Sequence, residues 1–265
     1  MQLIISHTTT YTYESPITSA LQQVRLTPRD TPQQKVLDWA ITVENGAAQL
    51  EFSDHHDNFT KLVSAEQGAS EIRITASGTV ETNDTAGVLG KVYGTAPLWL
   101  YKHTTPRTDP GKNIRRLAKS VDTSGETLSS LHALSAEILS LVPYETGKTF
   151  SGTTAEFALA NGHGVCQDHA QIFVAACRYA GLPARYVSGY LMMNDRVDQD
   201  ASHAWAEAWL DDLGWVGFDV SNGIAPDERY VRLACGLDSK DAGPISGIRR
   251  GAGSESMIVS LQVQQ

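Results

Sequence analysis

The hydrophobic period of this chain changes near residue 110, and that change limits its fold more than any other feature. Before it, apolar residues recur at every second position. Leu37, Trp39, Ile41 and Val43 alternate with Asp38, Ala40 and Thr42, and Ile72, Ile74 and Ala76 repeat the pattern. This is the period of a strand with one face buried. Segment 7–13 is rich in Thr and Tyr, which also favours strand. Turn signals separate the runs at Thr27-Pro28-Arg29-Asp30, Glu44-Asn45-Gly46 and Thr82-Asn83-Asp84. Short strands at such spacing predict a small antiparallel β-sandwich.

Pro97, Pro106 and Pro110 punctuate a connection, and the period then becomes helical. Ile114, Leu117 and Val121 fit one helix; Leu128, Leu131, Leu134, Ile138 and Leu141 fit a second, stopped by Pro143. A third is expected over about 165–180, burying Ala170, Phe173, Val174 and Cys177 and ending at Gly181-Leu182-Pro183. Strands return over 184–191, 202–210 and 215–220, and the tail 257–263 alternates once more. The expected fold class is α+β, with helices packed on an antiparallel sheet and a small β-sandwich before them. The expected division is a β-rich unit over 1–100 and a catalytic core over 101–265 that includes the C-terminal strand.

A chain of 265 residues can bury a core without crosslinks. Its net charge of −9 argues against a nucleic-acid groove or an anionic membrane surface as partner. No run approaches the roughly 20 apolar residues that span a bilayer, and residues 1–7 lack a basic leader, so no signal peptide is expected. Cys166, Cys177 and Cys235 are an odd count, unlike a disulfide framework. A reducing cytoplasm is the expected location.

The chemistry concentrates in Asn161-Gly162-His163-Gly164-Val165-Cys166-Gln167-Asp168-His169-Ala170. A glycine-rich loop runs straight into an apolar helix and places Cys166 in its first turn. The unpaired N–H groups there favour a thiolate. A buried structural cysteine is the bland alternative, and Cys177 fits it. In Ser202-His203-Ala204-Trp205-Ala206-Glu207-Ala208-Trp209, strand alternation puts His203, Trp205, Glu207 and Trp209 on one face and three alanines on the other. Trp215-Val216-Gly217-Phe218-Asp219 then sets Asp219 opposite Val216 and Phe218. A buried acid is costly unless paired. A short hairpin brings Asp219 beside His203, which supplies nucleophile, base and orienting acid.

These segments resemble the transglutaminase-like superfamily, in its bacterial cysteine-protease-like branch. The resemblance rests on Gly164-Val165-Cys166-Gln167-Asp168-His169-Ala170, Gly181-Leu182-Pro183-Ala184-Arg185-Tyr186-Val187-Ser188-Gly189-Tyr190, Ser202-His203-Ala204-Trp205-Ala206-Glu207 and Gly214-Trp215-Val216-Gly217-Phe218-Asp219, in the family's order. It covers roughly 110–250, and the first 85 or so residues resemble the β-rich domain that accompanies that branch. It implies a papain-like core in which Cys166 attacks a carbonyl, His203 shuttles the proton and Asp219 orients His203. The Cys166 N–H would be one oxyanion donor. Tyr144 sits where relatives carry an aromatic residue and is a candidate second donor, or simply a core tyrosine at a helix end. Gln167 and Trp205 are candidate site-lining residues. The family commonly has Asp-Pro where this chain has Asp219-Val220, and Gly-Arg-Asp where it has Gly236-Leu237-Asp238. The substrate implied is a peptide or other amide, and no cofactor is expected.

Other functions fit these residues less well. His163-x2-Cys166-x2-His169 has metal-ligand types, but His163 lies in the loop and no further ligand completes a tetrahedral set. Asp168 reads as a charge complementing the helix N-terminus. His55-His56-Asp57 reads as a solvated turn, and no metal is expected. Hydrolysis is favoured over transfer of the acyl group to an amine, for want of an amine-binding feature. A non-catalytic binding module or a zinc-binding protein is the alternative of a different class.

Overall fold

A computed structural model describes residues 1–92 and 94–265. Seven strands come first: β1 (Gln2–Tyr13), β2 (Ser19–Val24), β3 (Gln34–Glu44), β4 (Gly46–Ser53), β5 (Phe59–Ala65), β6 (Glu71–Thr82) and the short β7 (Val88–Gly90). Four helices follow: α1 (Lys112–Leu117), α2 (Thr127–Leu141), α3 (Ala155–Asn161) and α4 (Cys166–Tyr179). The chain then returns to strand in β8 (Ala184–Leu191), β9 (Asp198–Gln199), β10 (His203–Leu210), β11 (Gly214–Phe218), β12 (Tyr230–Gly236), β13 (Ile245–Arg250) and β14 (Glu255–Gln264). The fold is the expected α+β class, helices packed on an antiparallel sheet with a β-rich N-terminal region.

The strands form three antiparallel sheets. Their orders are β3-β6-β1-β14-β9, β13-β2-β5-β4 and β12-β8-β10-β11-β7. The first two make the sandwich. Leu3 and Ile5 of β1, Ile72 and Ile74 of β6, Val24 of β2 and Val63 of β5 share one hydrophobic cluster between them. Alternation is clean in β1, where every second residue from Leu3 to Tyr13 is buried. In β3 it slips. A bulge between Val36 and Asp38 turns Leu37 out to solvent, while Trp39, Ile41 and Val43 keep their inward side. One extra residue reverses the faces on its far side.

The third sheet carries α4. Ala204, Ala206 and Ala208 of β10, with Val216 and Phe218 of β11, meet Ala170, Phe173 and Cys177 of the helix. Methyl-sized side chains on the strand let the helix approach closely. On the sheet's other face Trp209 and Trp215 pair across the hairpin, edge to face at 5.6 Å. Helix α3 has no counterpart in the sequence reading, because seven residues are too few to show a period. Its ends are nevertheless clear. The Thr154 hydroxyl accepts from Phe157 N–H, and Gly162 closes it at φ 68°, a left-handed angle that suits glycine.

The tail is the main surprise of topology. β13 pairs with β2, and β14 pairs with β1 from Ile4↔Gln264 to Tyr13↔Glu255. A division at residue 100 groups this tail with the catalytic core, whereas its hydrogen bonds complete the sandwich. β7 crosses the other way, pairing Gly90 with Trp215. Among the described residues no helix is long and apolar enough to cross a membrane.

Candidate active site

Three local features hold Cys166. The stretch Pro143-Tyr144-Glu145 runs alongside the glycine loop, with Tyr144 bridged to Gly164 and Glu145 N–H donating to the Gly164 carbonyl at 2.8 Å. The Asp168 carboxylate accepts from Val165 N–H at 3.0 Å and from the Thr149 hydroxyl at 2.7 Å. It therefore caps the helix and ties down the preceding loop, as a first-turn acid should. Cys166 then opens α4, half-buried, while Cys177 is fully buried eleven residues later. Burial pushes the Cys177 thiol far up, which makes it inert.

His203 opens β10 and pairs with Gly189 of β8. A Cβ on Gly189 would lie 2.2 Å from the Val231 carbonyl and 2.6 Å from the Trp205 ring. Glycine there lets Trp205 lie flat beneath the histidine, with ring centroids 6.4 Å apart and planes 28° from parallel. His203 Nε2 meets Asp219 Oδ2 at 2.6 Å. That leaves Nδ1 free of Asp219, and Cys166 also favours the charged form of the ring. Burial opposes a charged ring, yet Asp219 and Cys166 together raise the His203 pKa to about 10.

Asp219 is fully buried just beyond β11. Its backbone pairs with Ile224 around a tight loop, at 2.9 Å and 3.2 Å. The Oδ2 atom accepts from His203, from Asn222 Nδ2 at 2.7 Å and from the Tyr230 hydroxyl at 2.7 Å. Burial would raise its pKa; these donors and the His203 charge outweigh it and hold the carboxyl below its ordinary value. The site is thus an imidazole held between a fixed anion and a thiol, a ring whose protonated form these two neighbours favour. Such a group can take a proton from sulfur and return it to a leaving group.

His203 and Asp219 are in direct contact, Cys166 favours the charged His203 ring, and Trp205 lies beside that ring. The Tyr144 side chain is half exposed. Burial pushes its hydroxyl up first, and the charges of Cys166, Asp219 and Asp168 add to that. The Gln167 side chain turns to the Phe150 carbonyl at 3.3 Å and braces the neighbouring loop. Leu237 packs with Leu89, Tyr101, Trp209 and Trp215, and Val220 is buried in the core beneath α4. Asn222 and Tyr230 were missed by the sequence reading. Asn222 sits in a visible turn, Ser221-Asn222-Gly223, three residues after the acid. Tyr230 has no local signal, since only the pairing of β12 with β8 carries it to Asp219.

The ligand-like triplet around Cys166 does not converge. His163 Nδ1 faces Glu145 at 2.7 Å, and His169 has both ring nitrogens engaged, by Val142 O at 2.7 Å and Ser221 Oγ at 2.8 Å. His56 corrects the expectation of a solvated turn. It is buried, with Nε2 2.6 Å from Asp241 and Nδ1 3.0 Å from the Tyr101 hydroxyl. Asp241 comes from a distant loop, so nothing near residue 56 announced the contact.

Residues 115–220 match the Transglutaminase-like superfamily, and residues 3–81 match the Bacterial transglutaminase-like N-terminal region. An uncharacterized protein of Mycobacterium leprae is 26% identical over 98% of this chain and 97% of its own length. A protein-glutamine gamma-glutamyltransferase of Pseudomonas aeruginosa is 33% identical over 95 residues, which are 33% of this chain and 14% of that protein. Among solved structures, a candidate cysteine protease from Cytophaga hutchinsonii shares the fold with a TM-score of 0.78. It is 23% identical and is matched over all of this chain and 90% of its own.

Proposed function

The chain belongs to the transglutaminase-like superfamily, and from that premise we propose that it is a hydrolase of amide-type bonds that works through a cysteine thioester. The observation that carries the proposal is His203 held by Asp219 at 2.6 Å on one ring nitrogen, with Cys166 acting on the same ring. In this reading His203 takes the Cys166 proton, and the thiolate sulfur attacks the substrate carbonyl. The developing oxyanion is met by the Cys166 N–H and the Tyr144 hydroxyl. Collapse breaks the C–N bond, and the amine leaves with the proton from His203. Water then attacks the thioester, His203 takes its proton, and the acid and the free thiol are released. Asp219 stays ionised throughout and fixes the ring orientation.

Hydrolysis is the preferred release step because the site is open. Cys166 is only half-buried, Tyr144 is 52% exposed and Phe150 is 70% exposed. Water therefore reaches a thioester formed there. The second reading, transfer of the acyl group to an amine, draws on the name of the Pseudomonas aeruginosa relative. A reducing, cytoplasmic setting is part of the proposal, since the nucleophile must remain a thiol.

Two measurements test it. Iodoacetamide should alkylate Cys166 faster than Cys177 or Cys235 near neutral pH, and more slowly in His203→Ala. Equal rates in the wild type and His203→Ala would sink the role of His203 as base. A panel of peptides and glutamine amides, offered with a labelled primary amine, separates the two release steps. Acid product without label supports hydrolysis, and label uptake supports transfer. Cys166→Ala should abolish both.

A further inference from the structure

Far from Cys166 in the chain, the turn between β4 and β5 meets the loop that follows β12. The turn carries His55 and His56, whose rings lie side by side with centroids 4.0 Å apart. The loop carries Asp241. One nitrogen of each histidine and one oxygen of Asp241 all lie within 4.8 Å of one another. We propose that His55, His56 and Asp241 form a binding site for a divalent transition-metal ion of the zinc class, which clips the sandwich to the catalytic core.

The arrangement has the supporting layer that a ligand set needs. His56 is buried, and the Tyr101 hydroxyl on Nδ1 fixes its ring so that Nε2 faces Asp241. A hydroxyl serves either tautomer, donating to Nδ1 without a metal and accepting from Nδ1–H when Nε2 binds one. A metal-bound histidine ordinarily has such a partner on its second nitrogen. Asp241 Oδ2 is likewise held, by Leu237 N–H at 2.9 Å. The turn itself is fixed before any ion arrives. Asp54 Oδ1 accepts from His56 N–H and Asn58 N–H at 2.9 Å and 3.0 Å. The Asn58 amide pairs with both backbone groups of Cys235, each at 2.8 Å.

The donor types choose the ion. Two imidazole nitrogens and one carboxylate oxygen suit zinc and its neighbours rather than calcium or magnesium, which take oxygen. Three protein ligands leave a fourth position, and the exposed His55 leaves it to water. Ligand atoms around tetrahedral zinc stand about 3.4 Å apart, so the set must tighten from its present spread. His55, free at the surface, is the residue that moves. The loop also reaches the nucleophile helix. Ser239 donates to Gln171 Oε1 at 2.9 Å and receives Arg107 Nη1 at 2.8 Å. A metal here therefore steadies α4 from outside the active site.

The test uses the full chain, stripped with EDTA and titrated with zinc chloride by calorimetry, alongside His55→Ala, Asp241→Asn and Cys166→Ala. His55 is exposed, so its removal leaves the fold intact. The wild type and Cys166→Ala should each bind one zinc per chain, and both ligand variants should bind at least about tenfold more weakly. At roughly 100 times the dissociation constant, zinc should raise the unfolding midpoint of the wild type by about 5 °C or more, and that of His55→Ala by much less. Equal affinity in the wild type and His55→Ala overturns the proposal. So does binding that vanishes with Cys166→Ala, which would put the ion at the nucleophile, or no binding at about 100 µM zinc.

Discussion

Strand β3 of the sandwich and strand β10 of the catalytic sheet handle polar groups in opposite ways. In β3, Lys35, Asp38, Ala40, Thr42 and Glu44 face water, and alternation alone disposes of them. In β10 every residue from His203 to Trp209 is buried, so each polar group must find its partner inside. Glu207 lies between Arg185 and Arg232. Arg185 also stacks on the Trp215 ring, 3.9 Å from its centre. His203 and Asp219 have each other. The sandwich sets ion pairs such as Glu51 with Lys61 and Glu44 with Arg73 toward water. The dry sheet raises the His203 pKa by setting a buried anion against the ring, whereas the wet face of β3 leaves its polar groups to water.

The largest departure should come from Asp219→Asn. The neutral amide can no longer fix the histidine tautomer, and kcat/KM on any substrate that the wild type turns over should fall by about 10³ to 10⁴. A loss under tenfold would mean that the buried acid is structural. Next comes Glu207→Gln, which leaves two guanidinium groups facing a neutral amide in the dry sheet. Urea unfolding should show a loss of about 3–5 kcal/mol.

A pH series gives a smaller, graded effect. The folded state raises the His203 pKa from 6.5 to about 10, so it holds that proton more tightly than the unfolded chain. The stability from this contact is complete below pH 6.5 and is lost as pH rises through about 10. The advantage of the wild type over Asp219→Asn in urea should shrink along that range. An unchanged gap would show that His203 is neutral in the folded protein. The smallest effect belongs to the sandwich. Glu51→Gln should cost at most about 1 kcal/mol, and less in salt. A cost as large as that of Glu207→Gln would erase the contrast between the sheets.

Legibility in the sequence follows the same contrast. β3 and β6 could be read because one wet face imprints a period of two, and residues 7–13 of β1 from their Thr and Tyr content. Helices α2 and α4 were equally plain, from apolar spacing and from Pro143 and Gly181. The sides of β10 and β11 could be read too, since alanine alternates with large residues in one and Val216 and Phe218 flank glycine in the other. What stayed hidden was set by distant pairing. Tyr230 reaches Asp219 through the register of β12 on β8. Asp241 reaches His56 from nearly two hundred residues away. The bulge at Leu37 interrupts a pattern that looks unbroken in sequence.

The return of β14 to β1 has a consequence for how the molecule is made. The sheet that opens the chain lacks its neighbouring strand until residues 255–264 have left the ribosome. Every helix and the whole catalytic sheet are synthesised in that interval. Folding therefore cannot run simply from the first half to the second. The catalytic part is an insertion into an unfinished sandwich, and completing the sandwich closes a long loop between Tyr13 and Glu255, the pair that ends the ladder. Until it closes, β1 has an open edge that any other extended chain can occupy.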